Sequence, residues 1–231
     1  MRAITAALTL PLCALLLHSA YATDDPKTAK WLSKDQEQAL SDTVPPPPAV
    51  DSTEDKADYA QILSAQGART PEIITECKRD QKFSYKLFAD LYGVGLTEDR
   101  APKFHKLSKT VTQITSIVNE TAKRKYQRLR PYQEHPDTVH SLFTVGGYSY
   151  PSGHSMGSFT LAVVLGAVFP DKQQTFLDRA AEIAQSRVNA GVHNPSDIKE
   201  GEILGKATGA AILASPEFQA DLAEVKSELA Q

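Results

Sequence analysis

Cysteine is scarce here: two in 231 residues, Cys13 and Cys77. Met1 to Ala22 reads as a secretory signal peptide. Arg2 gives the positive start, Ala6 to Leu17 the apolar run, and Ala20-Tyr21-Ala22 a small-x-small cleavage site. Cys13 leaves with that segment, which makes Cys77 the one thiol of the mature chain. An internal disulfide is thereby excluded, and stability must come from packing. Cys77 is expected as a buried apolar thiol rather than a reactive one or an intermolecular bridge. Long apolar runs are missing beyond the leader, whose own run is too short to anchor in a bilayer. The longest other run, Phe159 to Phe169, suits a buried core helix. A basic excess is missing too. The formal charge is −3 and becomes more negative once Arg2 is removed, so no global field draws the chain to nucleic acid. Sustained period-2 alternation and internal repeats are both absent, which removes strands and solenoids. What remains is an all-α, single-domain compact helical bundle.

Thr23 to Thr43 is polar, with Trp31 its single large anchor, and reads as a loosely held arm; the domain proper is expected over 44–231. Val44-Pro45-Pro46-Pro47-Pro48 is a stiff extended strap across the surface. Asp51-Ser52-Thr53 caps a helix that Gly67 ends, and Thr70-Pro71 starts another carrying Ile73, Ile74 and Cys77. Phe83 to Tyr92 has helical spacing. Pro102 to about Arg128 reads as a long helix with its apolar stripe at Leu107, Val111, Ile114, Ile117 and Val118. A loop rich in His, Gly and Pro runs from Tyr132 to Tyr150. Helices follow over Gly153 to Phe169, Gln173 to Asn189, Pro195 to Ala214 and Pro216 to Leu229. Gly201, Gly205 and Gly209 recur every four residues, which implies close approach by a neighbouring helix.

Three clusters carry chemistry. Lys123 and Arg130 lie seven residues apart and are expected to project from one helix face, where two cations can grip a dianion. A solvated basic helix end stabilised by the dipole fits as well; nucleic-acid binding lacks the aromatics and basic surface it needs. Ser149-Tyr150-Pro151-Ser152-Gly153-His154 places unpaired N–H groups at a helix start, a ready anion site, with His154 on the first turn able to donate a proton. Ser152 as a nucleophile lacks the Gly-x-Ser-x-Gly elbow. Ser186 to Asp197 holds Arg187, His193 and Asp197. Asn194-Pro195 starts a helix there, and Asp197 can reach back to one ring nitrogen of His193 while leaving the other free to attack. A surface His capping a helix would look the same. Together, Lys123, Arg130, Arg187 and the Ser152–Gly153 amides form a phosphate cradle between two imidazoles, the parts an in-line phosphoryl transfer needs.

Lys123-x6-Arg130-Pro131, Pro151-Ser152-Gly153-His154 and Ser186-Arg187-x5-His193-x3-Asp197 resemble the three-part signature of the phosphatidic acid phosphatase type 2 superfamily, which also holds the vanadium haloperoxidases. Within it the chain is similar to the bacterial class A non-specific acid phosphatases, from about Val44 onward. Ser155 stands where Thr is usual, and the 132–148 loop carries no cysteine. The resemblance implies His193 as nucleophile, Asp197 as its orienting group and His154 as general acid and base. It implies Lys123, Arg130, Ser152, Gly153 and Arg187 as phosphate binders. It also implies no cofactor or metal, small phosphate monoesters as partners, an acidic working range and a homodimer as in relatives. The signal peptide and the lack of a further long apolar run lead us to expect a periplasmic location and no membrane span after signal cleavage. His135 and His140 are read as loop residues, with no ligand cluster around them. The alternatives are a phosphotransferase or diphosphate hydrolase on the same site, or a non-catalytic binder of phosphorylated ligands.

Overall fold

Helix α7 (Gly153–Val168) forms the centre of the molecule, and twelve of its sixteen residues are buried. The computed structural model describes residues 31–93 and 95–231; the leader expected over Met1 to Ala22 lies outside them. Around α7 pack α5 (Pro102–Tyr126), α8 (Gln173–Asn189) and α9 (Pro195–Leu213), with α10 (Pro216–Leu229) closing one side. The outer elements are α1 (Lys34–Asp42), α2 (Thr53–Gly67), α3 (Pro71–Arg79) and the short α4 (Ala89–Tyr92) and α6 (Pro131–Glu134). The fold is all-helical, with no strand among the described residues. None of the described helices is long and apolar enough to cross a membrane.

The glycine stripe sits against α7. A Cβ at Gly201 would come 2.7 Å from the Ser152 carbonyl and one at Gly209 2.7 Å from Val163 Cβ, while Gly205 faces the Met156 carbonyl still more closely. Bare backbone here lets α9 and α7 lie close enough for Thr160 Oγ1 to donate to the Gly205 carbonyl (3.0 Å) and Ser155 Oγ to that of Ile198 (2.6 Å). Serine at 155 thus keeps a hydroxyl tie between the two helices that carry the site.

Three expectations change. The segment before Val44 is not a loose arm from residue 31 on. Trp31 and Leu32 are buried; Trp31 Nε1 donates to Asp221 (2.9 Å) and its ring meets Phe218 edge-on. Ser33 caps α1, and Ser41 donates to the Val118 carbonyl of α5 (2.9 Å). The buried face of α1 uses Glu37 and Ser41, so hydrophobic spacing could not reveal it. Phe83 to Tyr92 splits into a 3₁₀ turn, Tyr85–Phe88, followed by α4, because Tyr85 and Phe88 enter the core three residues apart. Finally, α5 stops at Tyr126, where Gln127 takes a left-handed conformation (φ 51°). Arg130 is therefore off the helix, in an extended conformation imposed by the following Pro131. Lys123 and Arg130 do not share a helix face; the chain turns back and brings them together. The proline strap is laid down as expected, with Tyr126 and Tyr150 hydroxyls donating to the Val44 and Pro45 carbonyls (2.5 and 3.0 Å). Cys77 is buried, its Sγ 3.3 Å from the Ser186 carbonyl.

Candidate active site

Gly191, at φ +73°, ends α8 and turns the chain so that His193 lies in the connection to α9, almost wholly buried. Asp197, in the first turn of α9, has no exposed surface. Its carboxylate accepts from the Asn194 N–H (2.7 Å), Ser149 Oγ (2.5 Å) and Arg128 (2.9 Å), and lies 3.3 Å from His193 Nδ1. A carboxylate can only accept, so Nδ1 carries the ring proton and Nε2 keeps a lone pair. Arg130 NH1 stands 3.2 Å from that Nε2. Nε2 is thus the nitrogen turned towards positive charge.

The sequence did not single out the support behind Asp197. Arg128 is buried and bridges Asp197, Ser196 Oγ (2.7 Å), Asp55 and Asp58 (3.2 Å each). Asp58 in turn accepts from the Ser196 N–H (2.9 Å) and hydroxyl. Burial alone would lower the Arg128 pKa, but Asp197 and Asp58 outweigh it and raise the value. Arg128 stands two residues before Arg130 and Ser149 flanks the Pro-Ser-Gly-His run, so their neighbourhood was the one available signal. Asp58 gave none.

The cations are fixed by loop carbonyls. Lys123 Nζ donates to the carbonyls of Tyr148 and Ser149, and Arg130 to those of Gly146, Gly147, Tyr148 and Val192. Burial and the nearby Arg130 push the Lys123 pKa down to about 8, and burial lowers that of Arg130. Arg187 is wholly enclosed. One of its nitrogens donates to the Asp80 carbonyl (3.2 Å), while Nε and NH2 find no partner, and its plane lies over Phe143 (5.1 Å). Burial and the Arg130 charge bring its pKa down to about 10. Lys123 keeps one N–H and Arg187 its Nε and NH2 groups without an acceptor, while all five N–H groups of Arg130 are engaged; enclosed positive charge with unfilled donors favours an anion.

His154 occupies the first turn of α7 as expected. Its Nε2 is buried without a partner, and Phe83 meets its ring edge-on at 5.5 Å. Both imidazoles are held well below the ordinary histidine value: His154 by burial, then Arg187 and His193; His193 by burial, then Arg130, Lys123 and Arg187. The two rings line one cavity of about 370 Å³, shared with Lys123, Arg130, Gly153 and Phe83. Ser152 plays a narrower part than its motif implies. Its amide is committed to the Asp197 carbonyl (3.0 Å) and its hydroxyl caps Ser155 (3.4 Å). Gly153 opens α7, where N–H groups have no intrahelical partner, and a Cβ there would press on Asn119 Oδ1 at 3.0 Å. His135 stacks on Tyr59 (4.1 Å), and the His140 carbonyl holds Arg69 (2.7 Å). Among the described residues no group of three or more His, Cys, Asp or Glu is placed to hold a metal ion.

Residues 109–220 match the PAP2 superfamily. The chain is 30% identical over 197 residues to a non-specific acid phosphatase of Providencia stuartii, covering 81% of this chain and 79% of that one. It is 29% identical to the non-specific acid phosphatase of Salmonella typhimurium, at 80% and 78% coverage. The fold resembles a crystal structure of a transmembrane PAP2 type phosphatidylglycerolphosphate phosphatase from Bacillus subtilis (TM-score 0.51, 20% identity, 77% of this chain and 90% of that). It also resembles a bacterial vanadium-dependent iodoperoxidase (TM-score 0.62, 19% identity, 79% and 54%). With near one-third identity along four-fifths of its length, the chain belongs to the PAP2 superfamily and, within it, to the non-specific acid phosphatases.

Proposed function

We propose that the chain is an exported acid phosphatase that hydrolyses a broad range of phosphate monoesters through a phosphohistidine. The single observation that supports this most is the pair of imidazoles on one cavity, His193 with its Nε2 lone pair set against Arg130. The substrate phosphate sits among Lys123, Arg130, Arg187, the Gly153 amide and the Ser152 hydroxyl, which neutralise its equatorial oxygens without a metal. His193 Nε2 forms a bond to phosphorus while the bond from phosphorus to the ester oxygen breaks. His154 gives that oxygen its proton, and the alcohol leaves. Neutral His154 then takes a proton from water, the hydroxide attacks phosphorus, and the N–P pair returns to His193 as phosphate departs. Asp197 keeps the Nδ1 proton in place throughout and stabilises the positive ring.

His154 must begin each cycle protonated although burial disfavours its charge. The bound phosphate supplies the missing negative charge, so an acidic working range follows. Export to the periplasm rests on the leader read in Met1 to Ala22.

The test is rapid mixing with ³²P-labelled p-nitrophenyl phosphate, quenched in alkaline denaturant because a phosphohistidine is lost in acid. The parent should carry label on His193, and His193→Ala should carry none and lose turnover while still binding phosphate. Hydrolysis by His193→Ala at the parent rate would overturn the assignment.

A further inference from the structure

Glu120 stands at the mouth of the catalytic cavity, exposed, one helical turn before Lys123. Among the described residues it is the one carboxylate lining that cavity. It forms neither an ion pair nor a side-chain hydrogen bond with any of them, although its charge acts on both Lys123 and Arg130. At its buried end the cavity is lined by Lys123 and Arg130, both held by loop carbonyls. The wall that leads outward from them along α5 is neutral and polar: Thr112, Thr115, Ser116 and Asn119. The cavity is therefore polarised, with positive charge at depth and a single negative charge at its opening.

We infer that Glu120 is a specificity-determining residue, which makes the enzyme favour phosphate esters of neutral and amine-bearing alcohols over esters whose leaving group is itself anionic. The inference rests on the proposed phosphatase reading, because it takes the phosphate to sit at the floor among Lys123, Arg130 and Arg187. The leaving group then points past His154 to the mouth, where Glu120 attracts an ammonium and repels a carboxylate or second phosphate. The phosphate itself feels Glu120 little, since the intervening cations screen it. Two unit charges about 6 Å apart in a water-filled opening, at an effective dielectric of about 60, change an equilibrium about fivefold. Each class of leaving group should move by about that factor, in opposite directions.

The test compares kcat/KM for phosphoethanolamine, glycerol 3-phosphate and 3-phosphoglycerate in the parent, Glu120→Gln and Glu120→Lys. In Glu120→Gln the ratio of phosphoethanolamine to 3-phosphoglycerate should fall about twentyfold, and in Glu120→Lys further still. The parent's preference should shrink in 0.5 M NaCl, as an exposed charge requires. A change of all three substrates by one common factor, or no change in their ratios, overturns the inference and leaves the phosphatase reading intact. A parent that hydrolyses none of the three overturns the phosphatase reading itself.

Discussion

Arg128 is the residue whose removal should cost the most outside the cavity. It is buried and donates to two enclosed carboxylates, Asp197 at 2.9 Å and Asp58 at 3.2 Å, as well as to Ser196 and Asp55. Arg128→Met keeps much of the stem's packing and deletes the charge. It leaves Asp58 to its Ser196 contacts and Asp197 to Ser149, Asn194 and His193. Breaking a buried ion pair from one side costs about 3–5 kcal/mol, because the remaining charge stays enclosed without compensation. With a urea slope of about 2 kcal/mol per molar, the unfolding midpoint should fall by about 2 M. Turnover should drop by about tenfold or more in the folded fraction, since Asp197 loses the donor that fixes its second oxygen. Adding Asp58→Asn should restore part of the stability by removing one stranded charge, so the two changes should not add. Arg128→Lys keeps the charge but cannot span both carboxylates, and should fall between parent and Arg128→Met. A loss below about 1 kcal/mol, or strict additivity with Asp58→Asn, would refute the view that Arg128 is the counter-charge of this network.

Histidine burial and the packing of α9 on α7 each have a measurable outcome. Both imidazoles titrate well below the ordinary histidine value in the folded enzyme, so below about pH 6.5 the unfolded chain binds protons that the folded one refuses. Stability should therefore fall as pH drops, by up to about 1.4 kcal/mol per histidine per pH unit. Thermal unfolding from pH 7 to 5 should show the decline, inorganic phosphate should counter it, and His154→Ala should flatten it; a parent profile that rises towards pH 5 would contradict the burial. Gly201→Ala forces a Cβ to within 2.7 Å of the Ser152 carbonyl, whereas Gly209→Ala presses only on Val163. Both should lose about 1–3 kcal/mol in urea, but Gly201→Ala should also lower kcat because it displaces the turn before Gly153 and His154. Equal activity in the two folded variants would count against that coupling.

The helices were legible where apolar spacing and end signals coincide. Ser52, Thr70, Asn194 and Ser215 begin helices at or beside the prolines and polar residues that mark them, and α8 runs from Gln173 to Asn189 as its pattern implies. The glycine ladder on α9 was legible as well, because close helix approach is among the few reasons to place three glycines on one face. Residues 34–42 were not, since a helix that buries Ser41 and Glu37 leaves no hydrophobic period to read. Nor was the break at Gln127, a single left-handed residue with no proline or glycine to announce it. The chain alone named the eight residues carried by its three motifs, as types suited to holding and transferring phosphate. Their meeting, and the dependence of Asp197 on Arg128 and Ser149, is a product of tertiary structure. Segments over seventy residues apart converge only when α5, α7, α8 and α9 share one core, and long-range contacts of that kind leave no local pattern along the sequence.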